Sequence, residues 1–124
     1  MSAKWMQMNI PAIQKFCAAL PHATADIKWD VDQVYSIGGK MFCVACLDAK
    51  QGATVAFKVD DDLFLSYSDR DGFIPAPYMA RAKWVQIVDL NKVSDAELKA
   101  LIKRSYELVA LKLTKKLRAE FGLI

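Results

Sequence analysis

Apolar residues recur at two different spacings along this chain, and the change of spacing marks its elements. Ile10, Ile13, Phe16, Cys17 and Leu20 fall three or four apart, which predicts one buried helical face. Asn9 supplies a cap and Pro11 sits in the first turn, where its missing N–H costs nothing. Pro21 ends the helix. From there the period becomes two. Ile27 and Trp29 alternate with Lys28 and Asp30, Tyr35 and Ile37 with Val34 and Ser36, and Val55, Phe57 and Val59 with Thr54, Ala56 and Lys58. Gly38-Gly39 is a two-residue hairpin signal that feeds a strand over Lys40–Leu47, and Gln51-Gly52 marks the next turn. In that strand Met41, Cys43 and Ala45 alternate with Phe42, Val44 and Cys46, so both of its faces are apolar and something must cover part of each.

Asp60-Asp61-Asp62 ahead of Leu63, Phe64 and Tyr67 reads as a short capped helix with acids at its positive end. Gly72 through Pro77 must be extended or turned, because Pro75 and Pro77 disfavour helix in the residues before them. Trp84–Val88 is the last strand. Ser94-Asp95-Ala96-Glu97 is a capping box, and Leu98, Leu101, Ile102, Tyr106, Val109 and Leu113 form one stripe behind it. Thr114 restarts a short helix that ends at Gly122. No repeat or linker-like stretch interrupts residues 1–124, so one domain is expected. The strand connections are too short for crossovers, which makes the sheet antiparallel. The fold class is therefore α+β: a two-layer sandwich whose antiparallel sheet is flanked on one face by the N-terminal and C-terminal helices.

Composition narrows the class further. The chain has 124 residues, 54% of them apolar and 25% charged, which excludes disorder and leaves enough apolar surface for a core. The apolar run 41–47 is too short to span a membrane, and residues 1–11 lack a secretory signal pattern. Three cysteines, Cys17, Cys43 and Cys46, predict reduced thiols in a cytoplasmic protein rather than a disulfide framework. The net charge of +3 is unevenly spread: residues 1–77 carry −2 and residues 78–124 carry +5. A basic C-terminal part fits a polyanion partner, or the docking of one part on the other.

Three segments resemble the MmcQ/YjbR family. They are Ser36-Ile37-Gly38-Gly39-Lys40-Met41-Phe42, then Pro75-Ala76-Pro77-Tyr78-Met79-Ala80-Arg81-Ala82-Lys83-Trp84-Val85, then Ser105-Tyr106-Glu107-Leu108-Val109 with Lys112-Leu113-Thr114-Lys115-Lys116. The second is the most specific, and the likeness runs from about Ile10 to the C-terminus. The resemblance implies a fold similar to the bacterial frataxin CyaY and a DNA-binding role through a double-wing arrangement. Thr114 stands where relatives often carry proline.

The residue chemistry points the same way. Cys43 and Cys46, three apart on a strand, face opposite sides and lack a second ligand pair, so no metal site is expected. His22 has no evident partner. Asp60, Asp61 and Asp62 suit capping better than a cation, and residues 10–20 contain Lys15 but no carboxylate, which argues against frataxin-like iron binding. No nucleophile–base constellation and no phosphate loop is present, so an enzyme and a cofactor are not expected. A small-ligand cleft near Tyr78 and Arg81 is the enzymatic alternative. Lys112, Lys115, Lys116 and Arg118 crowd one short segment; Arg81 and Lys83 precede Trp84, and Lys40 sits at the hairpin. Such a hairpin tip and basic helix end suit DNA phosphates. Strand parity puts Trp84 with Lys28, Ser36, Lys58 and Gln86 on the face away from the helices. There Trp84 stacks a base or anchors a protein partner, or else packs under Pro75–Pro77.

Overall fold

The helical and strand elements form where the two spacings predict them, although Ile27, an apolar position of the first strand's alternation, is exposed. The computed structural model describes residues 10–28, 32–46 and 54–122. The cap at Asn9, the strand position Trp29 and the Gln51-Gly52 turn lie outside the described residues. Helix α1 (Ile10–Ala18) stops short of Pro21 and is followed by β1 (Ala23–Lys28), β2 (Asp32–Ile37), β3 (Lys40–Cys46) and β4 (Thr54–Lys58). A 3-10 turn at Asp61–Leu63 leads into the short α2 (Phe64–Ser68), then β5 (Phe73–Pro75), β6 (Trp84–Ile87), the long α3 (Asp95–Ala110) and α4 (Lys115–Glu120). The capping box forms: Glu97 N–H donates to Ser94 Oγ at 3.1 Å.

The sheet is antiparallel throughout, in the order β1-β2-β3-β4-β6-β5. Its sixth strand, β5, falls in the segment 72–77 that the prolines confine to extended or turned backbone. Phe73 pairs with Ile87 and Pro75 with Val85. A proline cannot donate to a ladder, and β5 accommodates Pro75 because it lies at the sheet edge. Helices α1 and α3 pack on one face, where Ile13, Cys17, Leu98, Ile102 and Tyr106 meet Tyr35, Ile37, Val55, Phe57, Val85 and Ile87 in a single core. The opposite face carries a smaller cluster of Ala56, Ala76 and Trp84 with Met41, Val44 and Met79.

Strand β3 departs from simple alternation. Tyr35 pairs with Cys43 while Ser36 pairs with Met41, so Phe42 is an extra residue, a β-bulge. The bulge turns Phe42 and Cys43 to the same side, and both are completely buried in the main core. Met41 consequently joins Val44 on the far face. A sequence apolar on both faces gives no sign of such a slip.

The bulge leaves backbone groups without ladder partners, and Ser105 of α3 takes them up. Its hydroxyl donates to the Phe42 carbonyl at 2.6 Å and accepts from the Lys58 N–H at 2.9 Å. Ser105 is the one fully buried polar residue among those described. Ser105→Ala strands both groups away from water, at an expected cost of about 2–3 kcal/mol. Urea unfolding checks this: a midpoint shift equivalent to less than about 1 kcal/mol would show that water replaces the hydroxyl.

Candidate nucleic-acid interface

Antiparallel pairing decides which side chains can share an end of the sandwich. Strand β3 starts at Lys40, β4 ends at Lys58 opposite Trp84, and β6 starts there. The β2–β3 hairpin, the end of β4 and the β5–β6 connection therefore lie at the same end of the sheet. The hairpin tip has φ of 58° at Gly38 and 82° at Gly39, the left-handed pair that a tight two-residue turn demands. Gly38 has a second reason to be glycine. A Cβ there would come within 2.7 Å of Leu113 Cδ2, so the turn between α3 and α4 rests directly on the hairpin.

That contact carries the basic C-terminal segment to the same end. Lys58 registers the convergence: its ammonium is pushed below the usual lysine range, first by burial and further by the charges of Lys112 and Lys83, with Asp61 pulling the other way. Lys58 Nζ donates to the Ala82 carbonyl, tying β4 to the β5–β6 connection. Lys83 Nζ lies 5.2 Å above the Phe64 ring. Lys58, which strand parity places beside Trp84 on the far face, thus belongs to the site as well.

Helix α4 is positioned by three contacts. Thr114 Oγ1 accepts from the Leu117 N–H at 3.2 Å, so threonine caps where proline was the family expectation. Leu117 and Phe121 pack against the core. His22, with no evident sequence partner, stacks on Phe121 at 4.4 Å between ring centres. Lys115 and Lys116 are left exposed on the first turn, while Arg118 is half-buried with its Nε shut off from solvent and unpartnered among the described residues.

Ion pairing neutralises some of the cations, while Lys15, Lys58 and Lys103 are among those without an ion pair within the described residues. Arg70 is bound to Glu97, Lys92 to Asp71, Lys99 to Asp95, and Arg104 to Asp60 and Glu107. Among the described residues, no carboxylate lies within 4.0 Å of the charged groups of Lys40, Arg81, Lys83, Lys112, Lys115, Lys116 or Arg118. Asp61 and Asp62 are exposed in the turn after β4, so the positive field at this end is diluted on one side.

Trp84 does not serve as an open stacking surface. It is 5% exposed and packs with Ala56, Ala76, Met41, Val44 and Met79, the covered arrangement under the proline segment. The physical reason is the β5–β6 connection, which folds over the far face. Ala76 N–H donates to the Trp84 carbonyl at 3.0 Å and Trp84 N–H to the Met79 carbonyl at 3.3 Å.

The other candidates fall outside this site. A shallow pocket of about 200 Å³ is lined by Val59, Leu63, Tyr67 and Leu101 with the Arg104–Asp60 pair at its rim, and it does not include Tyr78 or Arg81. Cys17 and Cys43 are buried free thiols in contact; the Cys43 thiol is pushed well up by its hydrogen bond to Cys17 and by burial. Cys46 is free and half-buried. No group of three His, Cys, Asp or Glu side chains among the described residues is arranged to hold a metal, and no described helix is long and apolar enough to cross a membrane.

An open antiparallel sheet with helices packed on one face, and a basic end made by a hairpin, a crossing loop and a short terminal helix, defines a small α+β sandwich domain. The chain belongs to the YjbR family, whose family model matches residues 18–108. Among solved structures, Deinococcus radiodurans protein DR2400, which contains the domain DUF419, superposes with a TM-score of 0.82 at 24% identity, covering 96% of this chain and 91% of that one. A protein from Pseudomonas syringae superposes with a TM-score of 0.68 at 20% identity, covering 82% of this chain and 99% of the other. At these identities the likeness shows the fold alone. No curated protein matches the chain.

Proposed function

We propose that this protein is a small, non-enzymatic DNA-binding domain that grips the phosphate backbone with the basic end of its sandwich and reads sequence weakly. What supports the reading is that Lys40, Arg81, Lys83, Lys112, Lys115, Lys116 and Arg118 have no carboxylate partner among the described residues and stand on the hairpin, the β5–β6 loop and the α3–α4 segment. Lys83 and Lys112 are near Lys58, where the Arg104–Asp60 pair also lies. The hairpin tip carrying Lys40 and the loop carrying Arg81 and Lys83 supply the two wings that the family resemblance implies. Helix α4 adds Lys115 and Lys116. The free thiols fit a reducing cytoplasm.

Counterion release makes the reading testable on the unmodified protein. About five phosphate contacts predict that log K falls with log salt at a slope of roughly −4 to −5. With a net charge of only +3, the affinity should be modest at physiological salt. Binding to neither duplex nor single-stranded DNA at low salt, or binding that is indifferent to salt, removes the proposal.

A further inference from the structure

The loop between β5 and β6 breaks a local rule twice. Tyr78 and Lys83 both have φ of 65°, a left-handed conformation that an L residue bearing a Cβ adopts only at a cost. Neither glycine nor asparagine, the usual occupants, stands at either position. The loop is nonetheless tightly built. Besides the two bonds to Trp84, Met79 N–H donates to the Ala76 carbonyl, Ala82 N–H to Met79 and Lys83 N–H to Ala80, at 2.9–3.1 Å. Ala76, Met79 and Trp84 anchor it to the sheet. On this rigid base Tyr78 is fully exposed to solvent, the most exposed large hydrophobic side chain among those described.

A strained backbone held rigidly so that an aromatic ring stands free is a device for presenting that ring. Its neighbours say to what. Arg81 is exposed with no carboxylate partner, and Lys83 lies in the field shared with Lys58 and Lys112. An aromatic face beside cations that track a phosphate backbone is the combination that binds unstacked bases, since every base has a π-face and the cations need read no sequence. A base inside a duplex is already stacked and offers no face to Tyr78.

We infer that the basic end takes single-stranded DNA in preference to duplex, with one unpaired base stacking on Tyr78 while Arg81 and Lys83 hold the flanking phosphates. This rests on the phosphate-binding reading above and names its substrate class. It moves the aromatic role from Trp84, which is covered, to Tyr78.

The experiment compares wild type, Tyr78→Phe and Tyr78→Ala on three probes: a short oligo(dT) strand, an abasic strand of the same length, and a duplex. Stacking of one base predicts that wild type prefers oligo(dT) over the abasic strand by on the order of tenfold. Tyr78→Phe should keep that preference. Tyr78→Ala should lose it, binding both strands as wild type binds the abasic one, with an unchanged melting temperature because alanine keeps the same backbone strain and the ring contacts nothing in the core. Equal binding of the two strands by wild type, or a preference that survives Tyr78→Ala, overturns the inference. If the abasic strand and the duplex still bind in a salt-dependent way, only the base-stacking inference falls; if no probe binds at low salt, the phosphate reading falls with it.

Discussion

Trp84→Ala is expected to cost about 3 kcal/mol of stability and to lower the melting temperature by roughly 10 °C. The indole is the largest side chain of the far-face cluster, and its removal leaves Ala56, Ala76, Met41, Val44 and Met79 around a void. The β5–β6 connection loses its anchor while its backbone bonds remain, so it should loosen before the whole molecule unfolds. Hydrogen exchange at the Ala76 and Trp84 amides, both engaged in loop bonds, should accelerate more than exchange in α3. Trp84→Phe should recover most of the loss. DNA affinity should fall as well, but only as a consequence of Arg81 and Lys83 losing their fixed support. This ordering separates packing from stacking: were Trp84 a solvent-facing platform, alanine would weaken binding and leave the apo protein's melting temperature unchanged.

The elements were legible where one local rule acts alone. The Ser94–Glu97 capping box, the stripe of α3 and the alternation in β4 and β6 each follow from a single periodicity, and strand parity alone separates Val55 and Phe57 from Ala56 and Lys58. The Phe42 bulge was not legible because β3 is apolar on both faces, so a one-residue slip changes no polarity. Strand β5 was legible only as extended or turned backbone, because it is three residues long and holds Pro75, tolerable only at an edge whose position depends on the whole strand order. Of the site, Lys40 and Lys83 could be named from the hairpin and the family-like segment. Their shared end follows from antiparallel pairing, but the arrival of Lys112 depends on the Leu113–Gly38 contact, which no local pattern encodes. The left-handed φ of Tyr78 is likewise a tertiary imposition. Nothing in Pro77-Tyr78-Met79 announces it.

Lys115→Glu combined with Lys116→Glu should weaken DNA binding by on the order of 50-fold near 0.1 M salt, and flatten the salt slope by about two. Each lost phosphate contact removes close to one power of the salt concentration, and the introduced carboxylates add repulsion. Stability should move in the opposite direction or not at all. Both lysines are exposed in the first turn of α4, free of ion pairs among the described residues. Acids in that turn complement the helix dipole by a few tenths of a kcal/mol. A loss of affinity without a loss of stability therefore cannot be ascribed to unfolding. Lys99→Glu with Lys103→Glu on α3 supplies the control of equal charge change. Lys99 is already paired with Asp95 at 3.5 Å, and both lysines lie on a helix face that also carries Glu107. If binding depends on where the cations sit, the α3 variant should lose far less affinity than the α4 variant and keep nearly the wild-type slope. Equal losses in the two would mean that DNA responds only to net charge. Wild-type binding by the α4 variant would clear that helix of any part in the interface and leave the hairpin and the β5–β6 loop to carry it.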